Sequence, residues 1–313
     1  MLVIQSQNLD SSQAMFFARQ LEVVRAETYD IKYADLKGRT LVNIEQDNPG
    51  AEVITYTQFD RAGIFKLIAN YADDLPRSDV FGKQFSAKVF GFGGSYGYSI
   101  QDIRAAMMAG GRLDQKRARN VREISDSTHD RMIYFGNSEA GFTGLFNNPN
   151  ITTGNVVAGV STTTQWATKT PDEILTDLNS AYTDVLVLTN ETEVPNTLLL
   201  PVEQHAAITS RARSINSDTT ILEFFLRNRP NITRVETVVQ LANIGNRADM
   251  PDTVGDAFMF YKKSPDVLGY RAPVWFEQFA PQQINLAFNV PCHSRSGGVA
   301  YYRPLAAVIK GGI

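Results

Sequence analysis

The sequence predicts an α+β fold organised around one long helix. Three observations support this prediction: an amphipathic helical stretch begins near Tyr98, the segment before it is rich in β-branched and aromatic residues, and strand and helix signals alternate after it. The chain has 313 residues, enough for one large domain or two ordinary ones.

The long helix is predicted from the spacing of its apolar residues. They recur at three- and four-residue steps and form one stripe that should be buried, whereas charged residues such as Asp130 lie off it. A helix over residues 99–135 would be about 50 Å long, more than a compact domain needs. We call it the spine and expect a kink or break at Gly110-Gly111. The stripe consists of Ile103, Met107, Val121, Ile124, Thr128, Met132 and Phe135.

The segment before the spine is predicted to be a two-stranded ribbon. Residues 51–70 are rich in β-branched and aromatic side chains without a helical period, and residues 81–89 alternate apolar and polar side chains. A ribbon of two strands is only marginally stable alone, so this one must lie on its own domain or on a neighbouring subunit.

The first 50 residues are predicted to form a terminal arm. Asp10 can cap a helix that runs to about residue 27 and carries Phe17 and Leu21 on its apolar side. A strand is expected at residues 40–45, and Asp47-Asn48-Pro49-Gly50 is a strong turn signal.

The region after the spine is predicted to be a mixed α/β layer. Thr170-Pro171-Asp172-Glu173 has the capping-box pattern that opens a helix. A buried strand at 196–200 is followed at once by a helix from Pro201, and a further helix is expected at 219–228 and a strand at 232–241. Short strands dominate residues 256–309.

Composition excludes several classes of protein. The net charge of −3 argues against a freestanding nucleic-acid binder, which normally has an excess of lysine and arginine. No apolar run reaches the length of a membrane span, and the first residues do not resemble a secretory signal, so we expect folding in a cytoplasm. The single cysteine, Cys292, excludes an internal disulfide.

No catalytic, cofactor or metal site is predicted. The segment Gly91-Phe92-Gly93-Gly94-Ser95-Tyr96-Gly97 lacks the spacing of a phosphate-binding loop and is interpreted as a flexible joint. Cys292 and His293 would point to opposite faces of a strand, which argues against a thiol nucleophile with an adjacent base. His129 and His205 lack a second ligand at helical spacing.

The spine carries the one local excess of positive charge. Two interpretations remain open: these residues form the solvated face of a helix, or they form an electrostatic surface for a polyanion. The residues are Arg112, Lys116, Arg117, Arg119 and Arg122.

The order of arm, ribbon, spine and α/β region resembles the HK97-type major capsid protein of tailed bacteriophages. Three local motifs carry the resemblance, and together they are similar to a branch of capsid proteins long described only as a domain of unknown function. They are Tyr71-Ala72-Asp73-Asp74-Leu75-Pro76-Arg77-Ser78-Asp79-Val80, Gly97-Tyr98-Ser99-Ile100 and Gly144-Leu145-Phe146-Asn147-Asn148-Pro149.

The resemblance implies an HK97-type division of the chain into five parts. These are an N-terminal arm at 1–50, an extended E-loop at 51–95, a peripheral domain with the spine helix at 96–170, a mainly axial domain at 171–255, and C-terminal strands at 256–313 that return to both sheets. It also implies contacts between subunits through the arm and the E-loop. The candidate contact residues are Phe17, Leu21, Phe59, Arg61, Phe65, Lys66, Asp73, Asp74 and Arg77.

The implied function is structural, without cofactor or enzymatic activity. Identical subunits would assemble as pentamers and hexamers into the icosahedral shell of a virion, made in the cytoplasm of a bacterial host. A separate scaffolding protein, a portal and a decoration protein are the further partners that the resemblance implies. Packaged DNA would be contacted without sequence preference by Arg112, Lys116, Arg119 and Arg122.

Three further points stay open at this stage. Some relatives crosslink a lysine to an asparagine; Lys66, Lys83 and Lys88 lie in the E-loop, but no matching asparagine can be identified, so no crosslink is predicted. An encapsulin-type nanocompartment shell shares the fold and is the first alternative. A soluble α+β hydrolase that uses Cys292 or an aspartate of the ribbon tip is the second.

Overall fold

The computed structural model describes residues 34–67, 75–109, 113–214, 218–247, 250 and 253–313. The predicted N-terminal helix, with Phe17 and Leu21, lies outside these residues, and so do Asp73, Asp74 and Arg112. The architecture described below belongs to the unit that runs from Leu36 to Ile313.

The described part of the predicted arm packs into the body of the subunit. It forms helix α1 (Gly38–Leu41) and strand β1 (Ile44–Glu45), so the predicted strand at 40–45 is wrong in its first half. The Gly38 N–H donates to Asp130 Oδ1 at 2.7 Å, and the carbonyl of the fully buried Leu41 accepts from the Tyr261 hydroxyl at 2.7 Å. These tertiary contacts outweigh the local preference for a strand.

The predicted ribbon is present, but its first strand ends at Ala62 and residues 63–67 belong to no strand, so the predicted strand at 51–70 is too long. Strands β2 (Val53–Ala62) and β3 (Asp79–Lys88) pair in antiparallel register over their full length. The predicted turn before them is confirmed, because Asn48 accepts the Gly50 N–H through its side chain at 2.9 Å and the Ala51 N–H through its carbonyl at 3.0 Å.

The glycine-rich segment after the ribbon is a regular strand, so its interpretation as a flexible joint is wrong. Strand β4 (Phe90–Ser99) pairs along its whole length with β12 (Ala287–Ser296). Phe92, Tyr96 and Tyr98 alternate with glycine and serine, which is a period-two pattern that the glycine count obscures. The partner strand supplies a complete ladder, and this outweighs the entropic cost of ordering the glycines.

The spine is described as two helices, α2 (Ile100–Ala109) and α3 (Leu113–Phe135), and residues 110–112 lie outside the described part. The predicted buried stripe is wrong for much of its length, because Met107 is 78% exposed and Ile124 is 56% exposed. Burial is concentrated in the last turns of α3, where it includes Asp130, which was predicted on the charged face. The described residues leave much of the first half of the spine exposed.

The α/β region contains a five-stranded sheet in the order β5-β14-β8-β6-β7. Helices α4 (Pro171–Leu188), α5 (Val202–Ser210) and α6 (Ile221–Asn228) accompany it. The predicted strand at 232–241 is shorter, since a 3-10 turn occupies Val239–Leu241. The five strands are β5 (Thr152–Asn155), β6 (Thr197–Leu200), β7 (Arg234–Thr237), β8 (Ala257–Tyr261) and β14 (Ala307–Gly311).

The capping box at the start of α4 is confirmed. The Thr170 side chain accepts the Glu173 N–H, and the Glu173 carboxylate accepts the Thr170 N–H at 2.7 Å. The Val160 N–H, the Thr170 N–H and the Thr170 hydroxyl all donate to the Glu173 carboxylate and hold its pKa below its usual value. The helix start is therefore fixed by local sequence.

Two smaller sheets complete the described fold. One has the order β1-β9-β13, in which β1 is parallel to β9 (Leu268–Arg271), and β13 (Gly298–Tyr301) is antiparallel. The other places β10 (Val274–Gln278) and β11 (Gln282–Ile284) on the edge of β12 that faces away from β4. Single-turn 3-10 helices occupy Ile244–Asn246 and Pro304–Ala306.

The five-stranded sheet separates two hydrophobic cores. Leu199 and Met259 face the core that contains the end of α3, whereas Leu198 and Phe260 face the core under α4, α5 and α6. Adjacent residues on a strand point to opposite faces, so the apolar run Leu198-Leu199-Leu200 is buried on both sides.

The loop after α3 caps the C-terminus of that helix. The Leu145 N–H donates to the Ile133 carbonyl at 2.7 Å, and the Phe146 N–H donates to the Tyr134 carbonyl at 3.1 Å. The Asn147 side-chain amide donates to the Phe135 carbonyl at 2.8 Å. A helix leaves its last carbonyls without partners, and this loop supplies the missing donors.

Two glycines in this region allow a matched test of backbone strain. Gly136 has φ +65° and a methyl group there would lie 2.3 Å from the Phe142 carbonyl oxygen, whereas Gly141 has φ +72° and open space around it. Gly141→Ala should lose about 1–2 kcal/mol from left-handed strain alone. Gly136→Ala should lose about 1–3 kcal/mol more because backbone must move. Urea unfolding of the unassembled subunit measures both, and equal losses would contradict this account of the loop.

Candidate assembly surfaces

The ribbon exposes large apolar side chains that its own subunit does not cover. Phe59 is 73% exposed, and Phe65 and Leu67 are fully exposed. Monomeric proteins rarely expose so large an apolar surface, which is typical of protein interfaces. The exposed apolar residues of the ribbon are Val53, Phe59, Ile64, Phe65, Leu67, Leu75, Val80 and Phe81.

The described candidate contact residues of the ribbon all lie on its surface. Phe59 and Arg61 belong to β2, Phe65 and Lys66 follow it, and Arg77 precedes β3; all five are exposed. The Phe59 ring covers Gly82 of the opposite strand, since a methyl group on Gly82 would lie 3.2 Å from it. The structure thus places these residues on one extended arm.

A buried arginine holds the base of the ribbon. Arg271 is 1% exposed, and its guanidinium carbon lies 5.2 Å from the centre of the Tyr56 ring and 5.7 Å from that of Tyr302. Tyr302 donates its hydroxyl to Glu45 Oε2 at 2.7 Å, and burial, reinforced by this hydrogen bond, raises its pKa to about 12. Aromatic faces attract cations, so the cluster fixes β2 to strands β1 and β9.

The inward basic face stays a prediction, and its described residues lie on the surface of the subunit. Lys116, Arg119 and Arg122 are exposed on α3, and the Arg122 guanidinium lies 5.9 Å from the centre of the Phe276 ring. Arg117 is directed to the body instead: it donates to the Gly97 carbonyl and stacks on Tyr98 at 4.8 Å.

His129 was interpreted as an isolated residue, but it is the centre of a buried cluster. Its Nδ1 lies 2.6 Å from the Tyr270 hydroxyl, its Nε2 lies 2.9 Å from the Trp275 carbonyl, and its ring stacks on Trp275 at 4.4 Å. Burial lowers the pKa of His129, so the ring is kept neutral. Its partners are far along the chain, and no local spacing could have predicted them.

The described residues contain little that favours catalysis. Cys292 is buried, burial raises the pKa of its thiol, and the thiol donates to the Val290 carbonyl oxygen at 3.9 Å. Within this part of the chain, no three His, Cys, Asp or Glu residues are grouped as metal ligands would be. Nor is any described helix long and apolar enough to cross a membrane.

Comparison with known proteins identifies the family. The sequence model of the major capsid protein family matches residues 61–313, from within the ribbon to the end of the chain. The chain belongs to the major capsid protein family. It is therefore a structural protein of a virion capsid shell, as the resemblance in sequence predicted. A search of curated protein sequences gave no match.

Solved structures from phages and from a GTA particle have the same fold. A chain from the capsid of Myoviridae phage XM1 is 16% identical, with a TM-score of 0.79 over 95% of this chain and 98% of that one. A chain from the capsid of a native GTA particle is 8% identical, with a TM-score of 0.58 over 97% and 99%. A chain from Gordonia phage Cozz is 12% identical, with a TM-score of 0.56 over 99% and 98%. The predicted α+β, HK97-type fold is confirmed.

The exposed ribbon predicts a separation between folding and assembly. Phe65→Ser should leave the unfolding free energy of the subunit within about 0.5 kcal/mol of the parent, because the ring contacts little in its own chain. Loss of an aromatic anchor at an interface typically costs about 2 kcal/mol, so assembly should fall about tenfold or more. Sedimentation of assembled against unassembled protein measures this.

Gln84→Ser is the matched control, because it shortens an exposed side chain of the same ribbon without removing an aromatic ring. We expect it to assemble like the parent. If Phe65→Ser assembles equally well, the exposed ring is not part of an interface.

Proposed function

We propose that this chain self-assembles through pentamers and hexamers into the icosahedral head shell of a tailed phage, which encloses the double-stranded DNA genome. The observation that carries the proposal is the exposed apolar ribbon, attached to a well-packed body through Arg271. A chain of this family needs repeated contacts between identical copies, and the ribbon offers apolar surface that the described residues leave exposed.

The parts of the chain are proposed to divide the work of assembly. Residues 51–95 act as the E-loop that reaches a neighbouring subunit, 96–170 as the peripheral domain and 171–255 mainly as the axial domain, while 256–313 return to both sheets. The five-stranded sheet also contains β5 from the proposed peripheral domain and β8 and β14 from the C-terminal strands. The proposed parts therefore share one sheet.

Electron microscopy of the purified protein tests this function directly. We expect closed shells, or rings of five and six copies, at protein concentrations at which an ordinary enzyme remains monomeric. A matched sample that lacks residues 54–87 keeps the body but loses the ribbon, and it should form neither. Parent protein that stays monomeric even with its genomic neighbours present would contradict the proposal.

The exposed basic residues are proposed to face the shell interior and to contact packaged DNA. Lys116, Arg119 and Arg122 lie on consecutive turns of α3, so their charges line one length of helix. Contacts of this kind neutralise phosphates without reading sequence. The encapsulin-type alternative would need no such surface, and no described feature favours it.

A triple substitution tests the basic face. The variant Lys116→Gln, Arg119→Gln, Arg122→Gln should assemble normally. For DNA binding by its shells, the slope of the logarithm of the binding constant against the logarithm of the salt concentration should be shallower by up to about three. Double substitution of Arg213 and Arg227 on the α/β region is the control and should leave the slope unchanged. DNA binding by disrupted shells across a salt series measures both. Finding the three residues on the outer surface of the shell would refute the proposal.

The remaining partners follow from the proposed shell. A portal, a separate scaffolding protein and a decoration protein would complete assembly in the cytoplasm of a bacterial host. We propose no enzymatic activity, because the thiol of Cys292 is buried with a raised pKa and the described carboxylates are not grouped as metal ligands would be.

A further inference from the structure

Strand β4 has an open edge, and the hydrogen-bonding pattern shows which residues form it. In an antiparallel ladder, residues that bond to the partner strand alternate with residues whose N–H and C=O point away. The register with β12 continues past the strand, where the Ile100 N–H donates to the Leu286 carbonyl at 3.0 Å. The N–H and C=O groups of the even-numbered residues of β4 therefore point to β12, and those of the odd-numbered residues point to the opposite edge.

Two other contacts agree with this assignment. The Gly97 carbonyl accepts from the Arg117 side chain instead of from β12. At the start of the edge, the Val89 N–H donates to the Glu52 carbonyl at 2.8 Å, so it points to the side occupied by β2. Strands β3 and β4 are thus nearly continuous. Strand β2 pairs with one edge of β3, and β12 pairs with the opposite edge of β4.

The open edge consists of the backbone groups of Gly91, Gly93 and Ser95. Among the described residues, none pairs with these groups on this side, and all three residues are exposed. Long edge strands are usually protected by charges, proline or a bulge. From Phe90 to Ser99 there is no charged residue and no proline, and the register with β12 is regular throughout.

The ribbon has a matching open edge. Because Glu52 faces β3, even-numbered residues of β2 bond to β3, and the backbone groups of Thr55 and Thr57 point outward. Their side chains are exposed, and the segment 53–59 carries no charge. Two uncharged, unprotected edges of similar length therefore occur on one chain, but within a subunit they do not meet.

We propose that β2 of a second copy of this chain adds to the open edge of β4, so that the ribbon joins the sheet of its neighbour by main-chain hydrogen bonds. This inference rests on the proposed shell function and specifies where and how the ribbon binds. Strand addition of this kind takes its affinity from the backbone. Glycine and serine at the odd positions leave room above the strand for side chains of the incoming one.

Hydrogen exchange of the parent protein is the first test, because it needs no substitution. The amides of Gly91, Gly93, Ser95, Thr55 and Thr57 should exchange at least about tenfold more slowly in assembled shells than in unassembled subunits. If shells form and these amides exchange as fast as before, the strand addition is refuted while the shell function stands. If no shell forms, the proposed function itself fails.

Proline substitution at the edge is the second test. Ser95→Pro removes an N–H that β12 does not use, so the subunit should keep its fold, as judged by circular dichroism, but lose assembly about tenfold or more. Ser95→Ala keeps the N–H and should assemble like the parent. Equal assembly of the two variants would overturn the proposal.

Disulfide trapping identifies the strand that occupies the edge. In a Cys292→Ser background, subunits with Ser95→Cys are mixed with subunits that carry Thr57→Cys, and oxidised shells should contain a crosslinked dimer. Subunits with Val3→Cys replace the second population in a parallel sample. Crosslinking in that sample alone would assign the edge to the N-terminal segment and overturn the choice of β2.

Discussion

The last turns of helix α3 are the element on which the described fold depends. Five of their residues, His129, Asp130, Met132, Ile133 and Tyr134, are buried, and the groups that contact these turns come from different parts of the chain. Asp130 accepts from Gly38 in the N-terminal segment, His129 contacts Tyr270 and Trp275, and the carbonyls of the final turn accept from the loop at 145–147. A buried carboxylate or imidazole is costly unless it is hydrogen-bonded, so these contacts fix one arrangement.

The first half of the spine is poorly covered by the described residues of its own subunit. Met107 and Met108 at the end of α2 are exposed, and Ile124 in α3 is 56% exposed beside a cavity that β4 and β12 also line. A long helix that is packed at one end and exposed at the other leaves apolar side chains in contact with water in an isolated monomer. This arrangement becomes reasonable if neighbouring subunits complete the packing, as the proposed shell requires.

Local signals predicted much of the fold. The capping box at Thr170, the turn at Asn48 and the two strands of the ribbon depend on neighbouring residues, and all three are confirmed. The sequence did not predict strand β4. Its glycines are typical of a flexible joint, and the partner strand that orders them, β12, is almost two hundred residues away in the chain. The buried roles of His129, Asp130 and Arg271 were missed for the same reason: their partners are defined by topology, not by spacing.

The continuous line of β3 and β4 changes how the ribbon should be understood. A ribbon without a core of its own would be a loose arm if it joined the body through a flexible glycine joint. Here Val89 is the only residue between two ten-residue strands, and its N–H is bonded to Glu52. Arg295 on β12 donates to the carbonyls of Pro49 and Ala51, so the start of β2 is held as well. The sheet formed by β4 and β12 therefore fixes the orientation of the ribbon. An arm with a fixed orientation loses less conformational entropy when it binds a neighbour, so more of the free energy from burying its apolar surface stabilises the assembly.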